Sequence, residues 1–138
     1  MKQILIDSGF LYSLYNPADS NYQRSQAFAS TFQGATVIPD IILTETAFLF
    51  RRTGGFRAVA TFLEKFAKTG IEPVPLTIVD IQRASEIMLA YTTSELDFVD
   101  CAIMAMAERL NILQVCTFDR RDFSIFRPKH CDYLELLP

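Results

Sequence analysis

LDFVDCAIMAMAERLNILQVCTFDRRDF, residues 96–123, contains a helix, a strand and acidic residues at both of its ends. From Asp97 to Leu110 the residues are mostly apolar, and Asp97 and Asp100 stand three apart at the start, neighbours on one helix face. Leu113 to Thr117 is a short apolar run of strand length, and Asp119 and Asp122 follow where the chain leaves it. The same alternation extends outward. Strands are predicted at Gln3–Ile6, Thr36–Ile38, Glu72–Leu76 and Tyr133–Leu136, and helices at Ser20–Phe32, Asp40–Arg51, Phe56–Lys68 and Thr77–Tyr91. Gly34, Gly54, Gly55 and Gly70 mark stops between them. Strands alternating with helices imply an α/β layer structure around a mostly parallel, buried sheet. No repeat, low-complexity tract or Pro/Gly/Ser linker divides the chain, so residues 1–138 are expected to form one domain.

Acids recur at the ends of the apolar segments. Asp7 closes Gln3–Ile6 in ILIDSG, Asp119 follows Leu113–Phe118, Asp100 sits in Leu96–Leu110, and Glu45 interrupts the apolar DIILTETAFLF. In open parallel sheets reactive groups collect beyond the carboxyl ends of the strands, where Asp7 and Asp119 fall. Carboxylates gathered there repel one another by on the order of 4 kcal/mol per close pair at an effective dielectric near 20. A divalent cation, or protonation, must relieve that cost.

Each acid also has a plainer explanation. Asp7 or Ser8 could simply cap a helix starting near Phe10, and the two readings stand even. Glu45, flanked by Thr44 and Thr46, could lie on a solvated edge. Asp97 and Asp100 resemble a capping box that suits the positive end of a helix dipole, so Asp97 is expected to serve partly as cap while Asp100 points into the site. Thr117 could hold a carboxylate or a water by hydrogen bonding. Asp122 is the acid most readily assigned to an exposed polar turn.

Composition narrows the class. Half of the 138 residues are hydrophobic and 12 are Phe, which suits a globular chain with an aromatic-rich core. Cys101, Cys116 and Cys131 are an odd set without a CxxC pair, fitting buried free thiols in a reducing compartment better than zinc or disulfides. The apolar N-terminal strand is too short and too soon acidic for a secretory signal, and no run approaches the roughly 18 apolar residues of a membrane span. A soluble, cytoplasmic protein without a membrane partner is expected. Net charge −3 repels nucleic acid overall. Any such contact must be local, at Arg51, Arg52 and Arg57 or at Arg120, Arg121, Arg127 and Lys129, although solvated surface is the simpler account of these clusters. Serine or cysteine nucleophile chemistry would depend on His130, the sole histidine, which is expected at the surface. Gly-rich phosphate cradles are missing, and Asp7-Ser8-Gly9 lacks the Asp-x-Asp of an aspartyl phosphatase.

The ordered set Asp7, Glu45, Asp100, Asp119 resembles the PIN-domain nucleases, specifically the VapC-type toxin ribonucleases of bacterial toxin–antitoxin pairs. ILIDSG is similar to the family's opening strand with its first acid and TETAFLF to the helix with the second. LDFVDCAIMAMAERL is similar to the segment with the third, TFDRRDF to that with the fourth, and the ending FSIFRPKHCDYLELLP to one branch's tail. The resemblance implies a PIN-like three-layer sandwich with a mostly parallel central sheet flanked by helices. It also implies an Mg²⁺- or Mn²⁺-dependent endoribonuclease, restrained by a cognate antitoxin and usually a homodimer. Asp7, Glu45, Asp100 and Asp119 carry over as the acidic quartet, with Asp7, Asp100 and Asp119 on the metal and Glu45 orienting water. Thr117, Asp97 and Ser8 carry over as supporting residues, and Arg51, Arg52, Arg120 and Arg121 as candidates for RNA phosphates. Two alternatives stay open: a non-catalytic binding module of the same fold, its acids only capping helices, and a PIN nuclease outside any toxin pair.

Overall fold

Ile4, Leu5 and Ile6 are buried on both faces of the first strand, as a parallel strand covered on both sides requires. The computed structural model describes residues 2–138. In chain order its elements are β1 (Gln3–Ile6), α1 (Ser8–Tyr15), α2 (Tyr22–Thr31), β2 (Ala35–Val37), α3 (Asp40–Lys68), α4 (Ile78–Ala90), a 3₁₀ turn (Thr92–Ser94), α5 (Phe98–Leu110), β3 (Gln114–Cys116), α6 (Arg120–Ile125) and β4 (Glu135–Leu137). The strands form one parallel sheet in the order β2-β1-β3-β4, with Leu5 opposite Val37 on one side and Val115 on the other. Helices flank it, and the α/β expectation holds. The chain leaves β1 for β2 on one side of the sheet and later returns to β3 on β1's other side. The gap between the carboxyl ends of β1 and β3 is therefore a topological switch point, where open α/β sheets place their ligands.

Two local departures from the predicted elements have backbone causes. The expected strand Glu72–Leu76 is reduced to a single bridge, Val74 against Pro39, because Pro73 and Pro75 carry no N–H and only Val74 can pair. The two predicted helices Asp40–Arg51 and Phe56–Lys68 run on as α3 with a break at Gly55, whose φ of 72° and ψ of −164° suit only glycine. Gly34 marks a close approach: a Cβ there would stand 2.5 Å from the Lys2 carbonyl oxygen at the entry to β2. The helix that Asp7 or Ser8 could cap is present as α1, starting at Ser8, while the six-residue α6 is not among the predicted helices.

Packing of α5 fixes the rest. Cys101 to Ala107 are all buried, and Cys101 and Cys116 are free thiols pushed up to about 12 by burial, so both are inert. The α4 and α5 helices are joined by ion pairs. Arg109 donates two bonds, of 2.8 and 2.9 Å, to Asp80, which also completes a capping box with Thr77 at the start of α4. Arg83 grips Glu108 in the same way. No helix among the described residues is long and apolar enough to cross a membrane. Asp80 is fully buried while Arg109 is partly exposed, so Arg109→Ala, which strands the carboxylate, should cost about 2 kcal/mol in urea unfolding, somewhat below the loss for a fully enclosed pair. A loss under about 0.5 kcal/mol would show that the pair contributes nothing.

Candidate functional site

The carboxyl end of β1 delivers Asp7 directly beside the carboxyl end of β3. The Asp7 amide donates to the Cys116 carbonyl at 3.0 Å, which continues the ladder by one residue and leaves the Asp7 side chain at the switch point. Asp7 is also the N-cap of α1: one carboxylate oxygen accepts from the Ser8 amide at 2.8 Å. Its other oxygen accepts from the Thr117 hydroxyl at 2.7 Å, and the same hydroxyl accepts from the Asp119 amide at 2.9 Å. Cap and site are one residue here, and Thr117 ties the two strand ends together. Ser8 reaches across with its hydroxyl to Glu45 on α3.

The remaining acids come from helix starts. Asp97 is the N-cap position of α5 and Asp119 that of α6, yet neither side chain makes a capping bond. Asp100 and Asp122 sit three residues further on, both buried. One carboxylate oxygen from each of Asp100, Asp119 and Asp122 lies within 4.8 Å of the others. Asp7, Glu45, Asp97, Asp100, Asp119 and Asp122 all line a single cleft of about 480 Å³. A larger groove of about 520 Å³ lies between α4 and α5, but its arginines are already committed to Asp80, Glu86 and Glu108. Among the described residues, the acid cleft gathers six carboxylates, of which only Asp122 is paired with a cation.

The crowding perturbs titration in one direction. Burial pushes Asp7 up to about 6, held back by its bonds from Thr117 and Ser8 and pushed further by Glu45 and Asp119. Asp100 is pushed up to about 9, first by burial, then by the charges of Asp7 and Asp119 and a hydrogen bond shared with Asp122. An oxygen-only donor set suits a hard divalent ion. Three carboxylate oxygens within 4.8 Å of one another are close enough to share one such ion.

The predicted quartet shares the cleft, and Ser8, Thr117 and Asp97 border it or bond to it. Asp97 is exposed at the rim and makes no capping bond, where a partial cap was expected. The main correction concerns Asp122. It lies buried beside Asp100, not in an exposed turn, because α6 begins at Arg120 and turns it inward. Its spacing from Asp119 repeats that of Asp100 from Asp97, and that repeat was the available signal. The basic candidates do not form one group: Arg120 donates to the Pro138 carbonyl, Arg121 to Asp122 at 2.6 Å, and Arg51 lies over the Phe56 ring. His130 is half-buried, not free at the surface, with Nε2 2.8 Å from the Ile112 carbonyl oxygen.

The family profile of the PIN domain matches residues 4–127, from β1 to the end of α6. The chain belongs to the PIN-domain family. It is 23% identical over 125 residues to ribonuclease VapC26 of Mycobacterium tuberculosis, covering 91% of this chain and 93% of the relative. Among solved structures, VapC20 of M. tuberculosis, a sarcin–ricin loop cleaving toxin, superposes with a TM-score of 0.82 at 20% identity, over 98% of this chain and 99% of that one. FitAcB from Neisseria gonorrhoeae gives 0.72 at 16% identity, over 98% and 96% of the two chains. VapBC2 from Rickettsia felis, bound to a DNA fragment from their promoter, gives 0.68 at 16% identity, over 97% and 96%. All three share the fold of this PIN domain.

Because Asp7 and Asp100 titrate higher in the fold than the 3.8 of a free carboxyl, the folded PIN domain binds more protons than the unfolded chain in between. Stability from this source is complete below about pH 4 and is lost as pH rises through about 6 and then about 9. In chelator, raising the pH from about 5 to about 8 should lower the melting temperature by about 10 °C or more, and Asp100→Asn should flatten that slope. A melting temperature that climbs over this range, or an unchanged slope in Asp100→Asn, would contradict the assignment.

Proposed function

We propose that this PIN domain is a divalent-cation-dependent endoribonuclease that hydrolyses RNA phosphodiester bonds, and that it is the toxin of a toxin–antitoxin pair acting in the cytoplasm. The observation that carries the reading is the meeting of acids from four segments in one cleft, with three carboxylates within 4.8 Å. Capping alone gives no reason for Asp97 and Asp119 to leave their caps unbonded. The ribonuclease name of the VapC26 relative and the toxin description of VapC20 support the activity, and the toxin–antitoxin complexes among the fold neighbours support an antitoxin partner. A homodimer is the assembly we assign, supported by the exposed apolar side chains of Ile78, Val79 and Leu89 on α4.

Asp100, Asp119 and Asp122, with Asp7 at the back of the cleft, are the residues we assign to hold Mg²⁺ or Mn²⁺. When bound, such an ion acidifies a water and neutralises charge that grows on the phosphoryl oxygens. Thr117 and the Ser8 amide fix both oxygens of Asp7, so that carboxylate is aimed before substrate arrives. Glu45, half-buried and bonded to Ser8, is placed to orient the attacking water and to accept its proton. Arg52, whose guanidinium lies 5.9 Å from the ring of the cleft-lining Phe48, is the basic residue we assign to an RNA phosphate.

Asp100→Asn should fold and should lose Mn²⁺-dependent cleavage of RNA by about a hundredfold or more. Mn²⁺ should raise the melting temperature of the parent and not that of the variant, since a ligand of the folded form alone stabilises it. Asp122→Asn should behave like Asp100→Asn. If Asp100→Asn cut RNA as fast as the parent in Mn²⁺, the assignment of Asp100 to the metal would be wrong. If only Asp122→Asn did so, Asp122 would be a structural acid.

A further inference from the structure

Six carboxylates line the cleft, so a polyanion is received there only if fixed cations hold its backbone at the walls. Many of the chain's cations are already engaged. Arg83, Arg109, Arg121 and Lys68 pair with carboxylates, and Arg120 and Arg127 donate to backbone carbonyls. Among the described residues, the arginines held over a ring are Arg24, Arg51 and Arg52, and Arg51 covers Phe56, which does not line the cleft. Arg52 serves the α3 wall. Arg24 stands at a different wall, 5.1 Å from the ring centroid of Phe118, which lines the cleft between Thr117 and Asp119.

Local packing fixes where that guanidinium sits. Phe10, buried on α1, stacks on Phe118 with ring centroids 5.7 Å apart and meets Phe28 of α2 edge-on at 6.0 Å. Arg24 and Phe28 are four residues apart on α2 and share a face, so the contact that anchors this helix to Phe10 also lays Arg24 along Phe118. Phe118 in turn joins Thr117 to Asp119, and the Thr117 hydroxyl bonds both Asp7 and the Asp119 amide, which keeps the platform in register with the acids. Arg24 is exposed and, among the described residues, has no carboxylate partner. A guanidinium held beside a ring keeps its N–H fork free, and that planar fork matches the oxygens of a phosphate. It stands behind the cleft's lining, set back from the acids by the Phe118 ring, where a phosphate beside the reacting one would pass.

We propose that Arg24 binds a backbone phosphate next to the scissile one, so that bound RNA is held by guanidiniums from two separate helices, Arg24 on α2 and Arg52 on α3. The inference rests on the nuclease reading above and adds to it a substrate-binding residue outside the acid-bearing segments.

The test follows cleavage of a fluorescein-labelled RNA oligonucleotide in Mn²⁺ by the parent, Arg24→Ala, Arg24→Lys and, as a control, Lys2→Ala, which removes a cation just before β1. Anisotropy of the same RNA between about 50 and 200 mM salt, with Asp100→Asn added to each chain, reports binding alone. Arg24→Ala should raise KM about tenfold with kcat within about twofold of the parent, and should flatten the log–log salt dependence of binding by about 0.7–1. Arg24→Lys should fall in between, keeping the charge without the planar fork, and Lys2→Ala should match the parent. The Mn²⁺-induced melting shift should be the same in all four. An unchanged KM and salt slope in Arg24→Ala would overturn the proposal, as would an equal effect of Lys2→Ala, which would trace the effect to net charge. A fall in kcat at unchanged KM, or a lost Mn²⁺ melting shift, would contradict it too, by placing Arg24 at the reacting phosphate or in the support of the acids. If RNA were bound with an Arg24-dependent salt slope and the parent did not cut it, the phosphate contact would stand and the nuclease reading would fail. With neither binding nor cutting, both would fail.

Discussion

Mutual repulsion among carboxylates at the ends of β1 and β3 is the constraint to which the rest of the site answers. Were both ionised, two buried acids with oxygens 4.8 Å apart, such as Asp100 and Asp122, would repel by roughly 3.5 kcal/mol at an effective dielectric of about 20. Pairs that include the exposed Asp119 cost less, because solvent screens them. The helices that begin here, α1, α5 and α6, present their positive ends to the acids, but each contributes only about 0.3–1 kcal/mol. Helix ends and the Thr117 bridge therefore soften the repulsion without cancelling it. The balance is met by holding protons, above all on Asp100.

That balance explains why the fold is stiff beneath the cleft. The α5 helix is buried along most of its length, and the Asp80–Arg109 and Arg83–Glu108 pairs lock it to α4, so Asp100 cannot swing away to relieve the crowding. Asp7 is held by two hydrogen bonds and its own strand. Crowding that would relax in a loop is kept at the carboxyl ends of the two central strands.

Much of this was legible in the sequence because it depends on local pattern. Short apolar runs ending in Asp7 and Asp119 gave the strands, and the Asp97–Asp100 spacing gave the start of α5. The places where the pattern misled are those where backbone chemistry or tertiary packing decides. Pro73 and Pro75 remove the donors a fifth strand needs, although Glu72–Leu76 is apolar enough to suggest one. Asp122 was assigned to an exposed turn because α6, only six residues long, has too few apolar positions to show a helical period. Weighing cap against site for Asp7 was a false choice, since the strand-to-helix corner that needs a cap is also where the sheet gathers its reactive groups. The split of the arginines into separate surroundings could not be read at all, because it depends on where distant carbonyls and rings come to lie.

Calorimetry of Mn²⁺ binding near pH 7, repeated in buffers of different ionisation enthalpy, counts the protons that leave as the ion enters. With Asp100 holding its proton to about pH 9, close to one proton should be released per chain, and the number should fall as the pH is raised toward that value. Tight binding with no proton released at pH 7 would contradict the account, because it would mean the acids are already ionised and nothing in the fold is waiting for the metal.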